Sequence, residues 1–305
     1  MRCWQWSILA CVLAVLAAGG SAQAQLAPAQ PQPSDATFGD RFVQFFHDGE
    51  WYFSYGTNKE YWAPTDIHVS QPGQGNDFTI YGVHGHDDGI GLGDIATGDL
   101  FGPQYNLRVG RFITENFAIE FSLDHSKYQN DFGTYNHIGG QIGGKPVSDT
   151  YPSNSLLLTN QTFYEELHNG ANHIMINGVY RLPLFGKTNE TFSLAAIGKA
   201  GVGIMLPHTS DTIFGNPVDV GEKSLSNSVG LRNGWWQLNG WTTGVEGGLR
   251  FVVWKPVYIE VTDKLAYAYL ADLPAYQGTI SESLLMNEVI FSLGFTYDGT
   301  SKSAN

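Results

Sequence analysis

Along most of the chain, apolar and polar residues alternate one for one. The clearest run covers residues 117–128, where Phe117, Ile119, Phe121 and Leu123 share one face. Ala118, Glu120, Ser122, Asp124 and Ser126 share the other. Successive strand residues point to opposite faces, whereas a helix repeats every 3.6 residues and cannot produce that sorting. The same pattern returns with Tyr105, Leu107 and Val109 against Asn106 and Arg108, and with Ile174, Ile176, Tyr180 and Leu182 against Asn177 and Arg181. Val245, Leu249 and Phe251 oppose Glu246 and Arg250, Val257, Ile259 and Val261 oppose Glu260 and Lys264, and Val289, Phe291, Leu293, Phe295 and Tyr297 oppose Glu288 and Ser292. Each segment is strongly aliphatic or aromatic on one side and polar on the other.

The connections alternate in length. Short ones fall at 114–116, 183–189 and 254–256, and long ones at 88–103, 129–170, 207–234 and 271–284. Short turns on one side and long loops on the other are what a transmembrane β-barrel shows. The pattern therefore predicts an all-β fold, a small antiparallel transmembrane barrel. Strands at 77–87, 104–112, 117–128, 171–182, 190–206, 236–253, 257–269 and 286–298 give eight. A further hairpin, Trp51–Thr57 with Ile67–Ser70, raises the preferred count to ten; the alternative is eight strands with an N-terminal inner segment.

The N-terminus changes the picture of where this barrel works. Met1 and Arg2 precede an apolar run from Ile8 to Ala18, then Ala22-Gln23-Ala24. That order predicts a secretory signal peptide over residues 1–24, cleaved before Gln25. Residues 25–49 read as a flexible linker, 50–298 as the barrel and 299–305 as a polar tail. Both cysteines, Cys3 and Cys11, lie in the signal, so the exported chain is expected to carry no disulfide and no thiolate metal site. The expected location is the outer membrane of a Gram-negative envelope.

Charge then narrows the function. Only 15% of the 305 residues are charged, against about 25% in soluble domains. The net charge of −13 excludes a nucleic-acid partner, which requires a basic surface. On the polar faces stand five cations, Arg108, Arg181, Lys199, Arg250 and Lys264, and five carboxylates, Glu120, Asp124, Glu246, Glu260 and Glu288. A barrel this small has room inside for side chains or one small ligand, so these ten are expected to pair across the lumen. A water-filled diffusion pore is not expected.

Three clusters invite chemistry. His84, His86 and Asp87, with Asp66 and His68 upstream, have spacing open to a divalent cation, because residues at i and i+2 on a strand point the same way. No other cofactor is expected. Asp124, His125 and Ser126 are adjacent, so they face opposite sides and cannot form a catalytic triad among themselves. The third, Glu165 to His173, enters a strand from the longest loop and bears a local similarity to the His-x-Ser-Asn segment of outer-membrane lipid A 3-O-deacylases. Gly170 stands where that resemblance needs its nucleophilic Ser, and without it the acyl-enzyme route has no nucleophile.

A wider resemblance runs through residues 51–59, through Thr65-Asp66-Ile67-His68, and through 103–110 and 124–128. These segments resemble a family of bacterial outer-membrane β-barrel proteins with no assigned reaction; the resemblance implies location and fold. The last strand, from Phe291 to Tyr297, resembles the aromatic-alternating signal read by the barrel assembly machinery. The expectation is an integral outer-membrane protein with a closed, charge-paired lumen, structural or ligand-binding, with outer-membrane lipids and lipopolysaccharide as partners. The alternative is a lipid-modifying enzyme of the acyl ester hydrolase type.

Overall fold

The computed structural model describes residues 49–87, 104–188, 190–218, 220, 226, 228–230 and 234–299, without the side chains at 168 and 169. The expected signal peptide, nearly all of the linker and residues 300–305 lie outside them. The main strands are β1 (Gly49–Trp62), β2 (Thr65–Gln71), β3 (Asn76–Val83), β4 (Tyr105–Phe112), β5 (Phe117–Asn130) and β6 (Tyr135–Ile142). They continue as β7 (Phe163–Phe185), β8 (Ser193–Pro207), β9 (Trp241–Trp254), β10 (Val257–Ala275) and β11 (Gly278–Gly299).

Among the described residues, eight of these close into one antiparallel ring, in the order β1-β4-β5-β7-β8-β9-β10-β11. The seam is β1 against β11, paired from Gly49↔Gly299 to Trp62↔Met286. A closed ring leaves no unpaired strand edge along the seam, which matters where the surroundings offer no water to an exposed N–H or C=O. The short connections 113–116, 186–192 and 255–256 lie at the end where Gly49 and Gly299 meet.

The ring corrects the preferred count of ten strands and, in the eight-strand alternative, the membership and not the number. β1 is a full member of the ring, and the hairpin β2–β3 is not. β2 joins only the outer end of β11, through Thr279↔Ser70 to Glu282↔Ile67, and β3 then carries β6. The reason is physical: β2 alternates with the same period as a ring strand but with the opposite sense. Ile67 and Val69 are buried while Asp66 and His68 face water. Period two reveals a strand; only the identity of the outward residues reveals whether lipid or water lies outside.

The inversion runs along single strands. On the lower part of β11, Phe291, Leu293 and Phe295 face outward, each about half exposed, while Glu288, Ser292 and Thr296 are buried. Higher up, Ile280 and Leu284 are buried and Thr279, Ser281 and Ser283 look outward. Interior filling follows in three storeys. At the inner end Tyr52, Phe112, Val179, Ile197 and Tyr258 form an apolar plug. Charges fill the middle. At the outer end Ile67, Val69, Phe78, Ile80 and Ile138 from β2, β3 and β6 pack with Leu167, Leu270, Leu273 and Leu284 as an apolar cap.

The plug depends on missing side chains. Tyr258 is the register partner of Gly294, and Tyr52 of Gly110. A Cβ at Gly294 would lie 2.2 Å from Tyr258 Cζ, and one at Gly110 2.1 Å from Tyr52 Cζ. Each ring lies over the bare backbone of its neighbour. Overpacking of this kind costs about 1–3 kcal/mol. Gly294→Ala is therefore expected to lower unfolding stability in urea and lipid by that amount. Gly73→Ala, where an added Cβ meets nothing within 4 Å, is expected to leave it unchanged; equal losses at both positions would contradict the plug.

Candidate functional site: the charged interior

All ten charged residues expected inside are buried there. They reach the lumen because the ring strands hold them in alternate positions of the same face. Lys199 on β8 is the hub: its Nζ lies 3.3 Å from Glu120, 2.9 Å from Glu246 and 2.8 Å from Glu260. Arg250 Nε donates to Glu260 at 2.6 Å, and its guanidinium sits over the rings of Tyr258 and Tyr52 at 4.2 and 4.6 Å. Arg108 pairs with Asp124 and stands 3.6 Å from both Glu120 and Glu246. Lys264 Nζ completes the chain, 2.5 Å from Asp124 and 3.5 Å from Glu288.

Arg181 is placed apart from the other nine. Near the inner end it meets Glu50 at 2.7 Å and the carbonyl of Glu115 at 2.7 Å, over the ring of Phe112 at 3.6 Å. In its place the network takes in Glu60, the register partner of Glu288 across the seam. Five and five therefore become four cations (Arg108, Lys199, Arg250, Lys264) against six carboxylates (Glu60, Glu120, Asp124, Glu246, Glu260, Glu288).

Neutral donors cover much of the surplus. The Asn58 amide donates to both Glu60 and Glu288. Gln104 Nε2 and the backbone N–H of Lys127 donate to Glu60 at 3.0 and 3.1 Å. The Tyr52 hydroxyl and the Asn177 amide donate to Glu120 at 2.9 and 3.1 Å, and the Thr262 hydroxyl to Glu246 at 2.7 Å. Glu60 and Asn58 were missed in the sequence, although extending the alternation of Tyr52, Ser54 and Gly56 by two steps reaches both.

The five residues considered for a cation are not brought together. Asp66 accepts the Gly82 N–H at 2.8 Å, and His68 lies 3.2 Å from Thr79 and 3.4 Å from Asp77. His86 meets Asp131 at 2.6 Å, whereas Asp87 pairs with Lys59 and accepts the Glu60 N–H at 3.0 Å. His84 is exposed, and its carbonyl accepts the Asp131 N–H at 2.8 Å. Among the described residues no group of three or more His, Cys, Asp or Glu is arranged to hold a metal ion. A β-bulge between Leu167 and Ala171 re-aims the strand there. It separates Glu165 and His173, both buried, and the side chain of His168 is outside the described residues. Asp124 and Ser126 face inward, while half-buried His125 stacks on Tyr105 at 4.7 Å.

Comparison with known proteins returns structures alone. The chain is similar to the outer membrane protein OprG from Pseudomonas aeruginosa, at 10% identity over 83% of this chain and 98% of that one, with a TM-score of 0.38. It is similar also to the outer membrane protein AlkL, at 11% identity over 90% and 99% of the two chains with a TM-score of 0.32. A third is Neisserial surface protein A, at 10% identity over 80% and 98%, with a TM-score of 0.30. No family model matches the chain, and no curated protein matches it.

The network makes a direct claim on stability. Removing one partner of a buried ion cluster leaves the others uncompensated, at a cost of about 3–5 kcal/mol. Lys199→Met is expected to lose that much in reversible unfolding, and Lys199→Met combined with Glu260→Gln to recover part of it in a double-mutant cycle. Strictly additive losses would show that the hub does not couple its carboxylates.

Proposed function

We propose that the protein is an integral outer-membrane β-barrel whose lumen is closed by its own side chains, with a structural or small-ligand-binding role. One observation carries this reading: the ring turns hydrocarbon outward and ionic groups inward at the same height. Phe117, Ile119 and Phe121 stand 41%, 50% and 45% exposed on the outside of β5, while Ala118, Glu120 and Ser122 between them are buried. A soluble barrel would spend its polar residues on the outside and its apolar ones within. Trp241, Tyr267 and Tyr269 mark the outer edge of the apolar belt and Trp254 and Tyr297 the inner one, as aromatic girdles do at membrane interfaces.

Outer-membrane lipids and the saccharide of lipopolysaccharide are the surroundings such a belt and cap would meet. Export through the signal peptide over residues 1–24 and insertion by the barrel assembly machinery, reading Phe291 to Tyr297, complete the proposal. Binding within the lumen would have to displace or recruit members of the ion network, which favours a small polar ligand over a hydrophobic one.

Full-length protein expressed in a Gram-negative host is expected in the outer-membrane fraction, and to give no single-channel steps after reconstitution into a planar bilayer. Recovery in the soluble periplasmic fraction would contradict the membrane reading. Regular ohmic steps would contradict the closed lumen.

A further inference from the structure

Outside the charged middle storey, three carboxylates meet beneath the outer cap. Glu165 on β7 and Asp211 on the short strand Ser210–Ile213 are register partners. Glu282 on β11 lies one step outward of the Tyr269↔Ser283 pair, where β2 joins the ring through Glu282↔Ile67. The three are 0%, 2% and 2% exposed, in the order Glu165, Asp211, Glu282. Thr209 donates to one oxygen of Asp211 at 2.7 Å. As ionised groups, the other oxygen of Asp211 and both oxygens of Glu165 and of Glu282 accept from no donor among the described residues; the Thr65 hydroxyl beside Glu282 donates to the Ser283 carbonyl at 2.8 Å.

Every carboxylate lower in the lumen has a cation or a neutral donor; these have no cation among the described residues. Among the described residues the titratable groups facing them are each other and, from β5, Tyr128, which in turn faces Asp131. β2 and β10 contribute Ile67 and Leu270. Tyr128 is 1% exposed and its hydroxyl is likewise without a partner. Glu165 and Glu282 are within hydrogen-bonding reach of one another, a contact two carboxylates can make only when one carries a proton. Ionising all three in this apolar setting would cost several kcal/mol each.

We propose that Glu165, Glu282 and Asp211 form a proton-binding site that fastens the outer cap to the ring. With a proton held between Glu165 and Glu282, β2 stays seated on β11. Loss of that proton to water leaves adjacent buried negative charges at the joint and loosens the cap. The cap lies outward of the aromatic girdle, so the site answers to the pH outside the cell.

Burial pushes the carboxyls of Glu282 and Asp211 up to about 8, and raises Glu165 with the neighbouring charge of Glu282 adding to it. A carboxyl raised in the folded state binds more protons folded than unfolded, so its contribution is complete below the ordinary carboxylate range, near 4. It is then lost as pH rises through that window to about 8. Mild acid tightens the cap and alkali releases it.

The test uses the full chain in lipid nanodiscs, comparing wild type with Glu165→Gln/Glu282→Gln and, separately, Asp211→Asn. Infrared spectra at pH 6 should show a protonated-carboxyl band that fades toward pH 9 and is diminished, by the share of Glu165 and Glu282, in the double variant. Protease cleavage of the cap should accelerate at least about tenfold between those pH values in wild type, the change of one pKa unit. Once divided by the rate on an unfolded peptide, it should change far less in the double variant. Absence of the band, or the same acceleration in all three proteins, would overturn the proposal. So would added calcium chloride at pH 8 restoring the protected state, which would make the site one for a cation and not for a proton.

Discussion

A charged side chain inside a ring whose outer surface is apolar can be satisfied only by other groups inside the same ring. Isolated, each such ion loses several kcal/mol of solvation. The interior answers with a continuous chain running from Arg250 through Glu260, Lys199, Glu246 and Arg108 to Asp124, Lys264 and Glu288. Because its members come from β4, β5, β8, β9, β10 and β11, the chain couples strands far apart in sequence. Arg250–Glu260 and Arg108–Asp124 pair within single hairpins, whereas Lys199–Glu260, Arg108–Glu246 and Lys264–Asp124 join strands that are not neighbours in the ring. The ring has to be closed before the interior is paired, which ties the register of each strand to that of the rest.

The same constraint sets the storeys above and below. Along the middle of the ring the outside is apolar and the inside ionic. Where β11 and β10 extend beyond the outer aromatic residues, the outward positions become polar and the interior apolar, with Ile280, Leu284, Ala268 and Leu270 buried. β2, β3 and β6 exist to cover that apolar end, and they do so by adding to the edge of β11 instead of entering the ring. At the inner end the glycine cradles admit Tyr52 and Tyr258, whose rings lie beneath the Arg250 guanidinium. Plug, charges and cap together fill the bore.

Much of this was legible in the chain. Alternation located the lower halves of most ring strands, and the polar phase named the buried charges. What alternation could not show was the side of the sheet that water occupies, so β2 and β3 resembled ring strands and the outer lengths of β7, β10 and β11 resembled loops. Glu60 escaped because the outward positions between Tyr55 and Tyr61 are Thr57 and Lys59, which interrupt the aromatic alternation of β1. Asp211 and Glu282 escaped, and Glu165 stood out only beside its sequence neighbours up to His173, because their surroundings come from the cap, whose partners are distant in sequence. Arg181 has the parity of a lumen residue, yet its height puts it beside Glu50, and height is not encoded in period two. His84 and His86 have strand-like spacing, but His84 lies between strands, His86 pairs with Gln129 of β5 and His68 stands on β2.

The most direct test of the account is a spin-label scan of β11 in lipid bilayers. Both cysteines lie at positions 3 and 11, so single cysteines can be introduced along the strand without removing a thiol from the barrel. Labels at 289, 291, 293 and 295 should collide with oxygen dissolved in the bilayer and not with a water-soluble nickel chelate, while those at 290 and 292 reach neither. At 279, 281 and 283 the preference should reverse in favour of nickel. Equal access to nickel along the whole strand, or no reversal beyond Leu285, would contradict a charged interior wrapped in lipid.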